Sequence, residues 1–192
     1  MNSEILFVVA VFAAVYVGMA LGRWPWLQID RTGIALLGAI LLVVAGGIDG
    51  IDAALAVDVP TLLILFGLMI LSAQFAASGF YDWCSCRIAA SAASPSVILA
   101  VTIVIAGVLS AVLANDIVVF AMTPMLIAGL KGRGLDPRPY LIGLAGGANA
   151  GSAATIIGNP QNILIGQLGD LHFWDYVGDA AIPALFGLAI VF

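Results

Sequence analysis

Charge is what this sequence lacks. Only 9% of its 192 residues are Asp, Glu, Lys or Arg, while 63% are hydrophobic. A soluble domain of this length carries about a quarter charged residues. So little charge cannot solvate a globular surface, and lipid must face much of the chain. Lys and Arg total six and form no basic stripe, which excludes nucleic acid as a partner. The single histidine, His172, stands beside Phe173 and Trp174 and reads as an interfacial residue rather than a metal ligand. The two cysteines, Cys84 and Cys86, form a Cys-Ser-Cys triplet. That spacing does not match a zinc pair, and no second pair or nearby histidine completes one. No HExxH, no phosphate-binding GxxxxGK and no nucleophile–base pair is present, so neither an enzyme nor a cofactor is expected.

What is there is a series of apolar runs. The first, Ile5–Leu21, is about long enough to cross a bilayer core. Its acidic start and the lack of a small-residue cleavage pattern mark it as a retained span rather than a signal peptide. Gly33–Ile48 is a shorter second run. After the acidic stretch Asp49–Asp58, Pro60 suits the first turn of a helix, and Thr61–Phe80 makes a third span. Tyr81–Ser94 is mixed and is expected as a short interfacial helix. Then Pro95–Leu130 is apolar except at Ser110–Asp116, and Tyr140–Leu168 is apolar except at Asn149–Asn162. The acidic Gly169–Asp179 follows, and a further helix is expected from about 180. The expected elements are thus spans at about 5–22, 33–48 and 60–80, a hairpin at 95–130, a broken helix at 139–168 and the start of another span. All are α-helical.

Cations favour the cytoplasmic ends of spans. Arg23 and Arg31 put the first loop inside, the N-terminus and the aspartates Asp49, Asp52 and Asp58 outside, and Arg87 inside. A single crossing over Pro95–Leu130 would put Lys131, Arg133 and Arg138 outside. Two full crossings plus a turn need more than about 40 residues. A re-entrant hairpin, entering from the cytoplasm and turning near mid-membrane at Ser110–Asp116, keeps all six cations inside. Trp24, Trp26, Trp83 and Tyr140 would mark the inner interface, and Phe173, Trp174 and Tyr176 the outer one.

The two breaks carry the chemistry. Backbone polar groups at membrane depth are tolerated only inside protein or against a watery cavity. At the first break, Ser110 offers a hydroxyl and Asn115 both a donor and an acceptor. Asp116 is an acid in a costly place, which makes it a functional candidate. Asn115 and Asp116 also suit capping of the second hairpin helix. The second break gathers Gly146, Gly147, Asn149, Gly151, Ser152, Gly158, Asn159, Pro160 and Asn162. Half-helix N-termini attract anionic groups, while unwound carbonyls attract Na⁺. The glycines have a second reading, close helix packing.

At these stretches the sequence resembles the ion-transporter superfamily of divalent-anion/sodium symporters, citrate transporters and arsenite permeases. The matching residues are Ser110-Ala-Val-Leu-Ala-Asn115-Asp116, Thr123-Pro124, and Gly146 through Asn162, with Thr155 among them. Asp30-Arg-Thr-Gly-Ile and the run from Thr61 to Met69 also look typical. The resemblance implies one half of an inverted-repeat transporter that alternates access like an elevator. It implies a substrate or ion site built from Ser110, Asn115, Asp116, Asn149, Gly151, Ser152, Thr155, Gly158, Asn159 and Asn162, with Na⁺ near Asn115 and Asn149. It further implies a small anionic substrate, a second, C-terminal repeat beyond this one, and a homodimer for the full-length protein in the plasma membrane. Sodium–dicarboxylate members carry Ser-Asn-Thr at the hairpin tip. This chain has Ala114-Asn115-Asp116, and the extra acid leaves H⁺ beside Na⁺ as coupling ion.

The expected function is therefore cation-coupled secondary transport of a di- or tricarboxylate or an inorganic oxyanion. An arsenite-type efflux permease is the alternative. A channel-like or dual-topology assembly of this chain alone fits the one-sided cations poorly.

Overall fold

A computed structural model of the chain describes residues 3–22 and 29–192. The expected interface markers Trp24 and Trp26, and the cation Arg23, lie outside the described residues. The described residues form ten helices and no strands. Glu4–Leu21, Gly50–Ala77, Pro95–Val112 and Phe173–Val191 are long and apolar enough to cross a membrane. Their large side chains stay exposed, for example Phe12, Leu63, Val108 and Phe186. With so little charge to face water, those surfaces face lipid, and the chain is an α-helical integral membrane protein.

The chain divides into two units, Met1–Asp58 and Val59–Phe192. The first holds α1 (Ser3–Leu21), α2 (Arg31–Val44) and α3 (Gly50–Leu55). Asp30 caps α2, its carboxylate accepting from the Gly33 N–H at 2.8 Å. Gly38 lets α2 approach α1: a Cβ there would fall 2.3 Å from Val15 Cγ2. Phe7 lies against Gly47 in turn, so the two helices run antiparallel.

The second unit holds α4 (Val59–Ala77), α5 (Phe80–Ala90), α6 (Pro95–Val112), α7 (Asn115–Gly132), α8 (Arg138–Ser152), α9 (Pro160–Leu168) and α10 (Phe173–Val191). Helices α6 and α7 are the arms of the hairpin, joined by Leu113 and Ala114 alone. The Arg133 guanidinium, just past α7, donates to the carbonyls of Ser91 and Ala93, just before α6. The two open ends therefore lie together, on one side. Each arm has 18 residues, about 27 Å of helix, against a core about 30 Å thick. Upright, such an arm spans nearly the whole core, so a turn near mid-membrane fits only arms that are tilted or that extend beyond the core.

Val118, Met122, Leu126 and Leu130 recur every fourth residue on α7 and are fully buried. Helix α5 packs on this arm. Tyr81, Cys84, Ser85 and Ile88 form its buried face, and the Ser85 hydroxyl donates to the Met122 carbonyl at 3.3 Å. The segment expected along the interface is a helix as expected, but its one-sided burial comes from packing on the hairpin. Helix α10 also departs from expectation. It begins at Phe173 rather than near 180, so Asp175 and Asp179 sit on its first turns instead of in a loop. Asp175 there favours the helix dipole, and a polar first turn hides a helix start from a hydropathy reading.

Candidate functional site

Helix α8 is built to lie close along α6. Its glycines repeat every fourth residue, at Gly143, Gly147 and Gly151, and so fall on one face. In lipid, helices associate through such small-residue faces because apolar burial offers little. A Cβ at Gly143 would meet Leu99, one at Gly147 the Ile103 carbonyl at 2.7 Å, and one at Gly151 Gly107 Cα at 2.2 Å. Thr155 continues the series, its hydroxyl donating to the Ala111 carbonyl. Each pair is 44 residues apart. The helices therefore run parallel and in constant register, and the break in α8 comes level with the hairpin tip.

Two asparagines close the gap. Asn115 Nδ2 donates to Asn149 Oδ1 at 3.1 Å, tying the tip to the last turn of α8. Asn115 Oδ1 accepts from the Asp116 N–H at 2.9 Å. Asn115 is the first residue of α7, and the capping position itself is Ala114, which has no capping side chain. Asn115 thus satisfies one free N–H of α7 and also makes the bridge.

The break is held by its own amides. Asn159 caps α9, its Oδ1 accepting from the Asn162 N–H at 2.9 Å, and its Nδ2 donates to Ser152 Oγ at 3.2 Å. Asn162 Nδ2 donates to the carbonyls of Ser152 and Thr155, at 3.2 and 2.9 Å. Ser152 Oγ donates to the Asn149 carbonyl at 3.0 Å. An unwound turn leaves carbonyls without helical partners, and Asn162 supplies them. Gly158 folds back so tightly that a Cβ would fall 2.1 Å from the Ser152 carbonyl.

These contacts surround a polar cavity of about 250 Å³, lined by Asn115, Asp116, Asn149, Ser152, Asn159, Pro160 and Gln161. A second cavity of about 440 Å³ continues along α7 and α8 and shares Asp116 and Asn149. It is mostly apolar and includes Phe120, Thr123 and Pro124. Asp116 is exposed and borders both. Helices α7 and α9 begin at the polar cavity, so the positive ends of two dipoles meet the negative end of α8 there.

Of the ten expected site residues, Asn115, Asp116, Asn149, Ser152 and Asn159 line the cavity. Thr155 and Asn162 brace it from behind. Gly151 and Gly158 serve close backbone approach, the packing reading of the glycines. Ser110 is buried, lines neither cavity, and its hydroxyl has no hydrogen-bond partner. Gln161 was missed. Its position next to Pro160 at the start of α9 was the available signal. Among the described residues no cluster of three His, Cys, Asp or Glu could hold a metal.

The model of the citrate transporter family matches residues 5–192. The silicon efflux transporter LSI3 of Oryza sativa subsp. japonica is 31% identical over 86% of the chain and 34% of its own length. The putative transporter arsB of Dictyostelium discoideum is 29% identical over 85% of the chain and 29% of its length. The magnetosome protein MamN of Magnetospirillum gryphiswaldense is 30% identical over 96% of the chain and 41% of its length. The chain thus spans less than half the length of these relatives. No solved structure matches it significantly. By the extent of the family match and by the residues at its two breaks, the chain belongs to the citrate transporter family.

Proposed function

We propose that this chain is one half of a secondary active transporter for a small anion, a di- or tricarboxylate or an inorganic oxyanion, working by alternating access. The observation that carries the proposal is the Asn115–Asn149 bond, which joins a hairpin tip to a helix break at one polar cavity. Two helix N-termini there favour an anion. A second repeat of the same kind, with its own hairpin, would supply the opposite wall, and the full-length protein would be a homodimer in the plasma membrane with the N-terminus outside.

Na⁺ and H⁺ are the candidate coupling ions. The Ser152 and Thr155 carbonyls already accept from Asn162. Asn149 Oδ1 and Asn115 Oδ1 also each accept one hydrogen bond, so a Na⁺ would draw first on the Asp116 carboxylate and then on the second lone pairs of those amide oxygens, hard ligands suited to it. A proton would use the Asp116 carboxylate.

Asp116 also favours a second reading. An exposed carboxylate at the cavity repels an anion, whereas a neutral hydroxylated oxyacid could donate to it. An arsenite-type efflux permease fits that chemistry, and the names of the arsB and silicon efflux relatives support it.

Flux of carboxylates, oxyanions and neutral oxyacids into proteoliposomes of the full-length protein, with Na⁺ and pH gradients imposed separately, tests both readings. Transport of an anion, reduced at least tenfold by Asn115→Ala, is the expected result. Undiminished transport in Asn115→Ala would remove the site assignment.

A further inference from the structure

Away from the tip, α5 and α6 enclose a third cavity, of about 180 Å³. Its mouth carries Arg87 and Ser91, and its wall is one stripe of α6, Val97, Val101 and Ile105. That stripe is about 12 Å long, and its two ends, Val97 and Ile105, lie about 24 Å and about 12 Å of helix rise from the hairpin tip. The cavity shares no residue with the two at the tip.

We propose that this groove binds an anionic phospholipid, with the phosphate at Arg87 and an acyl chain along Val97, Val101 and Ile105.

Charge complementarity identifies the occupant. Arg87 is exposed, on the last turn of α5, and its guanidinium lies 5.6 Å from the centre of the Trp83 ring. Trp83 is itself 58% exposed, as expected of a ring at the headgroup level. A second guanidinium, Arg133, is fixed to the same loop through the Ser91 and Ala93 carbonyls. Arg87 is thus the cation that lines the apolar groove, and Arg133 adds positive charge to the neighbouring loop. Beside the groove, α6 turns Val104 and Val108 outward at 53% and 61% exposure, an apolar surface that lipid tails suit. At about 180 Å³ the groove is smaller than sites that enclose a small molecule, which run from about 300 Å³ upward, so a phospholipid would lie only partly in it. The cation distribution puts this end of the hairpin at the cytoplasmic leaflet, where anionic lipids concentrate. The inference requires only that this end meets a membrane interface, and it stands apart from the transport reading.

Native mass spectrometry of the full-length protein, delipidated and titrated with phosphatidylglycerol or phosphatidylcholine of identical chains, tests it. Phosphatidylglycerol should bind several-fold more tightly. Arg87→Gln should lower that preference by about fivefold, the factor expected for one cation at a membrane surface, while Arg87→Lys retains it. Val101→Trp, which fills the groove, should weaken both lipids without changing their ratio. Thermal unfolding of each variant controls for folding. Equal binding of the two lipids by the unaltered protein, or an undiminished preference in Arg87→Gln, would overturn the proposal. So would full displacement of phosphatidylglycerol by equimolar glycerol 3-phosphate, which would make the site one for a free anion.

Discussion

Gly151 rests directly on Gly107. A Cβ built at Gly151 would lie 2.2 Å from both Cα and O of Gly107. Backbone meets backbone there, so no side-chain adjustment can make room. Gly151→Ala should therefore cost about 1–3 kcal/mol through overpacking, read as a lowered thermal unfolding midpoint in detergent. Gly67→Ala on α4, where a Cβ meets nothing within 4 Å, should be neutral or stabilising, because alanine is the better helix former. Equal midpoints for the two variants would contradict the contact.

Asn162 is predicted to hold the break open without touching substrate. Asn162→Asp keeps the shape but loses both donors, stranding the Ser152 and Thr155 carbonyls. An unsatisfied buried acceptor costs about 1–3 kcal/mol. The measurement is the unfolding midpoint of Asn162→Asp against that of the unaltered protein. A midpoint unchanged in Asn162→Asp would mean that water or lipid headgroups reach those carbonyls.

The Asn115–Asn149 bond predicts non-additive variants. Transport by Asn115→Ala, Asn149→Ala and the double variant should show a coupling energy of about 0.5–3 kcal/mol, as contacting residues do. Additive losses would mean that the two amides act separately.

The proposed proton-coupling role of Asp116 has its own test. If Asp116 carries the proton, flux driven by an imposed pH gradient should fall at least tenfold in Asp116→Asn, while substrate binding by calorimetry persists. Undiminished pH-driven flux in that variant would place the coupling proton elsewhere.

Topology has a direct test. A cysteine replacing Lys131, with Cys84 and Cys86 changed to alanine and serine, should react with an impermeant thiol reagent only from the cytoplasmic face. Labelling from the outside in intact cells would sink the hairpin argument. The background changes matter because Cys86 is exposed.

Much of this fold is legible in the residues because the bilayer restricts what an apolar chain can do. Unsatisfied backbone at membrane depth is so unfavourable that a polar break in an apolar run signals a cavity. Ser110–Asp116 and Asn149–Asn162 stand out for that reason. Less legible is the division of labour inside the breaks. Asn149 and Asn162 have the same chemistry, yet one borders the cavity and the other supports it. Pro160 and Gln161 line the site through the position of α9 rather than through any unusual chemistry.

By itself the sequence determined the membrane environment, the helical class and the two breaks, because composition and hydropathy act locally. Only the tertiary structure decided that the breaks coincide. The parallel 44-residue register of α8 on α6 depends on where three glycines meet Ile103, Gly107 and their neighbours, and a contact between distant segments has no local signal. It also showed the close backbone approach at Gly151 and Gly158, left Asn115, Asp116 and Asn149 facing the cavity, and placed Arg87 at the mouth of a separate groove.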